Sequence, residues 1–316
     1  MAGGADFPHV VLVGAAHLDR IAVSDAAFQP GCSNPGRVIE RLGGASFNAA
    51  LALRAFGART HLVSACGGDA VAERIGVELD LAGIADARIS WLDRRSATYT
   101  ALVDASGDLV GGVADMAIYE RLVPRVLSRR HLKDLFGSAD GLLVDANLPA
   151  DALEHLASCE PGKPVAAIAV SPAKAARLRG ALPDLSILFA SRAEAARLFD
   201  LEGDATDVAI VNAIAETGLP RAVITDGPRP VLVIADGKAL RQAPPPVDSI
   251  ADVVGAGDTL AGTAFHATLS GRPLVDAVRT GLVAASLRIT TGLTEASAAR
   301  APSLADALPA PQPITA

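Results

Sequence analysis

Asp258 follows directly on Gly255, Ala256 and Gly257, and the run Thr259–Leu269 behind it has the composition of a helix. Two glycines around a small residue let the backbone bend tightly and let a ligand approach main-chain N–H groups. N–H groups at a helix start sit at its positive end, so the stretch suits an anion such as a phosphate. A carboxylate is a poor neighbour for a bound phosphate unless it has a task of its own. For Asp258 that task would be to take a proton from an attacking hydroxyl beside the developing charge. The same residues also read as an ordinary helix start with an acidic first turn, and alone they do not choose.

Two further polar residues stand where open α/β sheets keep their ligand contacts. Val10–Val13 is wholly apolar, as in a strand buried on both faces, and Asp19 lies just beyond its end. A plain loop aspartate is the other reading. Gly43 and Gly44 allow close backbone approach ahead of the helix-forming run Ala49–Phe56, which Gly57 would cap. Asn48, in the first turn, offers a donor and an acceptor, or serves only as a capping residue. Several chemistries lack their motif. Gly14-Ala15-Ala16-His17 is no dinucleotide fingerprint, and Gly31–Val38 lacks the Gly-Lys-Ser/Thr ending of a phosphate loop. Without a His/Cys cluster or a Gly-x-Ser-x-Gly run, metallohydrolase and esterase readings have no support.

The 316 residues are 50% hydrophobic and 20% charged, enough for a large core in one α/β domain. A net charge of −7 argues against a nucleic-acid partner, though not against a nucleoside. Cys32, Cys66 and Cys159 are scattered, as in a reducing compartment. The start Met1–Pro8 has no basic leader region, and no apolar run reaches ~18 residues, so a cytoplasmic protein without membrane contact is expected.

From residue 124 strands and helices alternate. Helices are expected at 124–136, 149–158, 172–180, 192–200 and 206–217, with strands at 141–145, 165–170, 185–190 and 222–225. That pattern gives a mostly parallel, doubly wound sheet with helices on both faces. A hairpin turns at Asp236-Gly237, and helices at 256–270 and 273–290 close the domain. Segments of about 20–42 and 88–116 read as a small antiparallel layer, a lid over the site. The tail 301–316, with four prolines, is expected to be extended.

With these parts in place the chain resembles the PfkB (ribokinase-like) carbohydrate kinase family over residues 8–300. Gly43-Gly44 with Asn48 matches the family's N-terminal signature, and Asp252-Val-Val-Gly-Ala-Gly-Asp258 its C-terminal one. Val253 stands where threonine is usual, and Ser191-Arg-Ala-Glu194 where Asn-x-x-Glu is usual. The resemblance implies an ATP-dependent phosphotransferase with Mg²⁺, one large domain and a lid that also pairs two copies. It implies that Asp258 is the base and that Gly255, Ala256 and Gly257 stabilise the phosphoryl group, a reaction driven by positioning and charge. Asp19, Gly43, Gly44 and Asn48 would hold the acceptor, and Glu194 would act on Mg²⁺ through water. Thr225 and Gly227 would border the ATP phosphates, with Ala285 and Ser286 beside the adenine. A monovalent cation is a further candidate near 248–254 and 290–294.

Four stretches are similar to the pseudouridine kinase branch of the family: Asn34–Gly36, Ala114–Ile118, Asp145–Leu148 and Val170–Ala175. That likeness adds Thr98, Asn147 and Lys174 as acceptor contacts, and implies phosphorylation of a nucleoside 5′-hydroxyl. Lys174 also reads as an ordinary surface lysine. The alternatives are a family kinase for ribose, fructose or adenosine, and a non-catalytic sugar- or nucleoside-binding relative. An intact Asp258 counts against the last.

Overall fold

The computed structural model describes residues 7–314. Residues 1–6, most of the stretch weighed for a leader, and the last two of the tail lie outside the described residues. A ten-stranded sheet runs through the centre. From one edge its order is Gln312–Pro313, Lys238–Gln242, Arg229–Ala235, Ala222–Asp226, Ile187–Ser191, Val165–Ile168, Gly141–Asp145, His9–Val13, Arg59–Val63 and Ala85–Asp86. The strands from Ala222–Asp226 to Ala85–Asp86 pair in parallel, and the three at the opposite edge are antiparallel. Side chains alternate across the sheet. Val11 and Val13 enter the core on one face, Val10 and Leu12 the core on the other. Both faces are covered by helices, which is why these strands are apolar throughout.

His9–Val13 lies between Arg59–Val63 and Gly141–Asp145, so successive connections leave it in opposite directions. A crevice opens at the carboxyl ends of strands at such a switch point. Gly14 stands at its base, where an added Cβ would fall 2.2 Å from both Asp145 Oδ2 and Ser46 Oγ.

Two excursions leave the main body side by side. His17–Ser24 runs outward and Gly36–Gly43 returns; Thr98–Val103 runs outward and Leu109–Asp115 returns. They join through their outgoing arms, so the central pairing of this four-stranded sheet is parallel and not antiparallel as expected. Ile89–Trp91 does not join it but pairs with Ala65–Gly67. Other departures have local causes. The expected helix 124–136 breaks into Pro124–Leu127 and Arg130–Ser138, where Ser128 bonds His155 at 3.1 Å and Arg129 turns extended. The expected helix 172–180 is one α-turn, Pro172–Ala175, continued as a 3₁₀ segment that contains Pro183. The tail is not simply extended. Ala301–Asp306 is helical, with Pro302 in the first turn where a missing N–H costs nothing. Arg279 donates to the carbonyls of Ala305, Leu308 and Pro309, which anchors the end of this helix and the turn beyond it. Among the described residues no helix is long and apolar enough to cross a membrane.

Helix Ala256–Leu269 packs on Ala45–Ala55 and on Leu274–Thr290. Small residues make both contacts close. A Cβ on Gly262 would lie 2.6 Å from the Ala49 carbonyl oxygen, and one on Gly281 2.9 Å from that of Leu260. Gly262→Val is therefore expected to destabilise the chain by about 1–3 kcal/mol through overpacking. Urea unfolding checks this, and unchanged stability would show that the helices tolerate a wider crossing.

Candidate active site

Gly255 caps helix Ala256–Leu269 in the left-handed region at φ 79°, a conformation that strains any other residue. Gly257 was expected to share that turn but lies within the first helical turn, without a positive φ. Apart from its chain neighbours and its own helix backbone, no atom lies within 4 Å of where its Cβ would be, so its contribution is open space above the helix start. A Cβ on Gly255 would instead approach Asn48 Cγ to 3.1 Å. The two signature stretches, some two hundred residues apart, thus touch. Asn48 Nδ2 donates to Asp258 Oδ2 at 2.9 Å.

Burial pushes the Asp258 carboxyl up to about 7, and the charges of Asp145 and Glu194 act in the same direction. The Asn48 amide and, more distantly, Arg288 oppose them. A group poised near neutrality can take a proton and release it again, as a general base must.

The residues expected to hold the acceptor lie on the small sheet, at the start of helix Ala45–Ala55 and on the segments that follow strands Gly141–Asp145 and Val165–Ile168. Asp19 is buried in His17–Ser24, directly across from Arg41 on Gly36–Gly43. His17 Nε2 lies 3.0 Å from Asp19 Oδ1, and Arg41 Nε 4.0 Å from Oδ2. Gly43 is required by this carboxylate, because its Cβ would fall 2.3 Å from Asp19 Oδ2. Gly44, at φ 113°, caps helix Ala45–Ala55, and a Cβ there would meet the Ala15 carbonyl oxygen at 2.3 Å. Thr98 is half-buried at the start of its strand, opposite Leu18. Asn147 is buried, and Lys174 is not a solvated surface lysine. Its Nζ bonds Asn147 Oδ1 and lies 3.4 Å from Met116 Sδ. Burial holds the Lys174 amine below its ordinary range, with the Asp145 charge opposing.

Thr225, Gly227, Ala285 and Ser286 line a single cavity of about 650 Å³, together with Ala256 and Gly257. A smaller cleft of about 190 Å³ holds Glu194, Asp258 and Gly255 and shares Thr225, Ala256 and Gly257 with the larger one. Ser191 begins helix Arg192–Leu198 with a capping box: its N–H donates to Glu194 Oε2 at 2.7 Å and its hydroxyl accepts from Glu194 N at 3.3 Å. The serine thus fixes Glu194 at the cleft through one carboxylate oxygen. Among the described residues no group of three or more His, Cys, Asp or Glu is arranged to hold a metal ion.

Several contributors were not assigned from sequence. Asp145 receives bonds from Ala15, Ser46 and Asn147. Arg41 pairs with Asp252, tying the small sheet to the loop before Gly255. Pro244, Pro245 and Pro246 wall the large cavity. Only the proline run carried a local signal, a rigid extended segment just after a strand.

The chain matches the pfkB family carbohydrate kinase profile over residues 8–300. It belongs to that family, and so is a sugar or nucleoside kinase, a phosphotransferase with an alcohol acceptor. It is 25% identical to the pseudouridine kinase of Escherichia coli K12 over 274 residues, 86% of this chain and 87% of that one. A carbohydrate kinase from Agrobacterium tumefaciens superposes with a TM-score of 0.85 at 33% identity, covering 97% of this chain and all of that one (100%). The ribokinase of Arabidopsis thaliana, solved with ribose and ATP, shares the fold at 20% identity with a TM-score of 0.84, covering 94% of this chain and 99% of that one.

If Asp258 is the base, kcat/KM rises with pH and levels off above about 7, because only the carboxylate accepts a proton. Asp258→Asn is expected to lose about 10²–10⁴ in turnover while remaining folded. The raised folded value, against an ordinary 3.8, means that wild-type stability falls as pH climbs toward 7. The asparagine variant escapes that loss, so its advantage in thermal midpoint should be larger at pH 8 than at pH 5. A pH-independent difference would contradict the burial of Asp258 as a titrating group.

Proposed function

We propose that this kinase transfers the γ-phosphoryl group of ATP to the 5′-hydroxyl of pseudouridine. The observation that supports the transfer is the Asn48–Asp258 contact, with Asp258 in the cleft that shares Ala256 and Gly257 with the large cavity. Asp258 takes the hydroxyl proton, and Asn48 holds the carboxylate toward it. The N–H groups around Gly255, Ala256 and Gly257 stabilise charge on the phosphoryl oxygens. Apolar walls, with Ala285 and Ser286, accept the adenine. Mg²⁺ would neutralise phosphate charge; lacking a protein cluster, it would be held by phosphates and water, with Glu194 at the edge.

The acceptor rests on two supports. The relative named pseudouridine kinase aligns along most of both chains. In addition, three of the four stretches similar to that branch meet in space, through Met116, Asn147 and Lys174. Asn147 donates to Asp145 and accepts from Lys174, which leaves its Oδ1 one lone pair. That lone pair suits the additional ring N–H of a C-linked uracil, and Asp19 suits the ribose diol. The measurement is kcat/KM for pseudouridine, uridine, adenosine, ribose and fructose with Mg·ATP, and the position of the phosphate by NMR. Pseudouridine is expected to lead, by several tens-fold over uridine if one buried hydrogen bond discriminates. Should another acceptor lead, the pseudouridine assignment fails and the kinase class stands.

The proposal extends to pairing of two copies through the small sheet. Its edge strands expose Val38, Ile39, Leu109, Val110 and Val113. Sedimentation should give twice the chain mass, and Val38→Glu with Val113→Glu should return it to one. A monomeric wild type would rule the pairing out.

A further inference from the structure

We propose that Asp145 is a positioning residue of this reaction: one buried carboxylate fixes both the helix start that carries Asn48 and the loop that carries Asn147. The inference rests on the kinase reading and adds a residue that the reading does not use. Asp145 ends strand Gly141–Asp145 with no solvent exposure (0%). Its Oδ2 accepts from Ala15 N at 2.8 Å, Ser46 N at 3.1 Å and Ser46 Oγ at 2.7 Å. Its Oδ1 accepts from Asn147 N at 2.9 Å and Asn147 Nδ2 at 2.8 Å. All five partners donate, so the site is built for an acceptor-only carboxylate.

These donors lead to the two sides of the chemistry. Ser46 lies two residues before Asn48, whose amide holds Asp258. Asn147 in turn receives Lys174. Among the described residues no guanidinium or ammonium forms an ion pair with Asp145. A buried carboxylate without a cation is expensive, and packing alone would be met better by an apolar side chain. An amide at this position keeps only one acceptor oxygen. Its NH₂ would face either the Ala15–Ser46 donors or those of Asn147, so one set must let go.

The test uses wild type, Asp145→Asn and Ser46→Ala, the last deleting a single donor. For each, kcat and acceptor KM are measured with the leading acceptor of the panel, ADP affinity by calorimetry, and the unfolding midpoint. Misplacement by about 1 Å is worth ~10²-fold, so Asp145→Asn should lose kcat on that scale with a raised acceptor KM. ADP affinity should change by less than about twofold, since the cavity walls make no bond to Asp145. Ser46→Ala should move kcat the same way by less. Unchanged kinetics in a folded Asp145→Asn, or a loss of kcat matched by equal losses of ADP affinity and folded fraction, would overturn the inference. If Asp145→Asn does not fold, Ser46→Ala decides, with unaltered kcat counting against it. A wild type inactive on every acceptor would remove the kinase reading, and this inference with it.

Discussion

The site depends on two helices starting side by side at the switch point of the sheet. Ala45–Ala55 and Ala256–Leu269 come close enough because Gly262 leaves room for the Ala49 carbonyl. Gly255 then fits against Asn48, and the Asn48 amide reaches Asp258. Two helix N-termini aimed at one crevice concentrate free N–H groups and positive dipole where phosphoryl charge would develop. A side chain at either glycine would push the helices apart and undo this.

The electrostatics follow from the same crowding. Burial raises Asp258, and the charges of Asp145 and Glu194 add to it. Asp145 accepts from five donors, whereas Glu194 and Asp258 each accept from one, the Ser191 N–H and the Asn48 amide. Asp258 is the carboxyl that burial raises toward neutrality, and so the one able to exchange a proton. The arrangement sacrifices stability for reactivity, as functional sites commonly do.

Much of this was legible in the sequence because it is local. Apolar runs such as Val10–Val13 announced buried parallel strands, and Asp236-Gly237 announced its hairpin, with both residues at positive φ. The two signature stretches pointed to Gly44, Asn48 and Asp258 in advance of any coordinates. What stayed hidden was relational. The Arg41–Asp252 pair spans 211 residues and the bonds of Asp145 with Ser46 and Ala15 span 99 and 130, distances at which no periodicity carries information. Asp145 was visible only as part of a four-residue likeness. Lys174 looked equally like a surface residue until packing placed it on Asn147. The tail misled because Pro302 falls where a helix begins and Pro313 where an edge strand ends, so neither breaks its element.

The central claim is that Asp258 faces an acceptor hydroxyl on one side and the phosphate turn on the other. A crystal structure with pseudouridine and a non-hydrolysable ATP analogue tests it most directly. The account predicts the 5′-oxygen within about 3 Å of an Asp258 carboxylate oxygen, with the terminal phosphate against the Gly255–Gly257 N–H groups. Pseudouridine bound with its 5′-hydroxyl turned away from Asp258, or phosphates outside that turn, would contradict it.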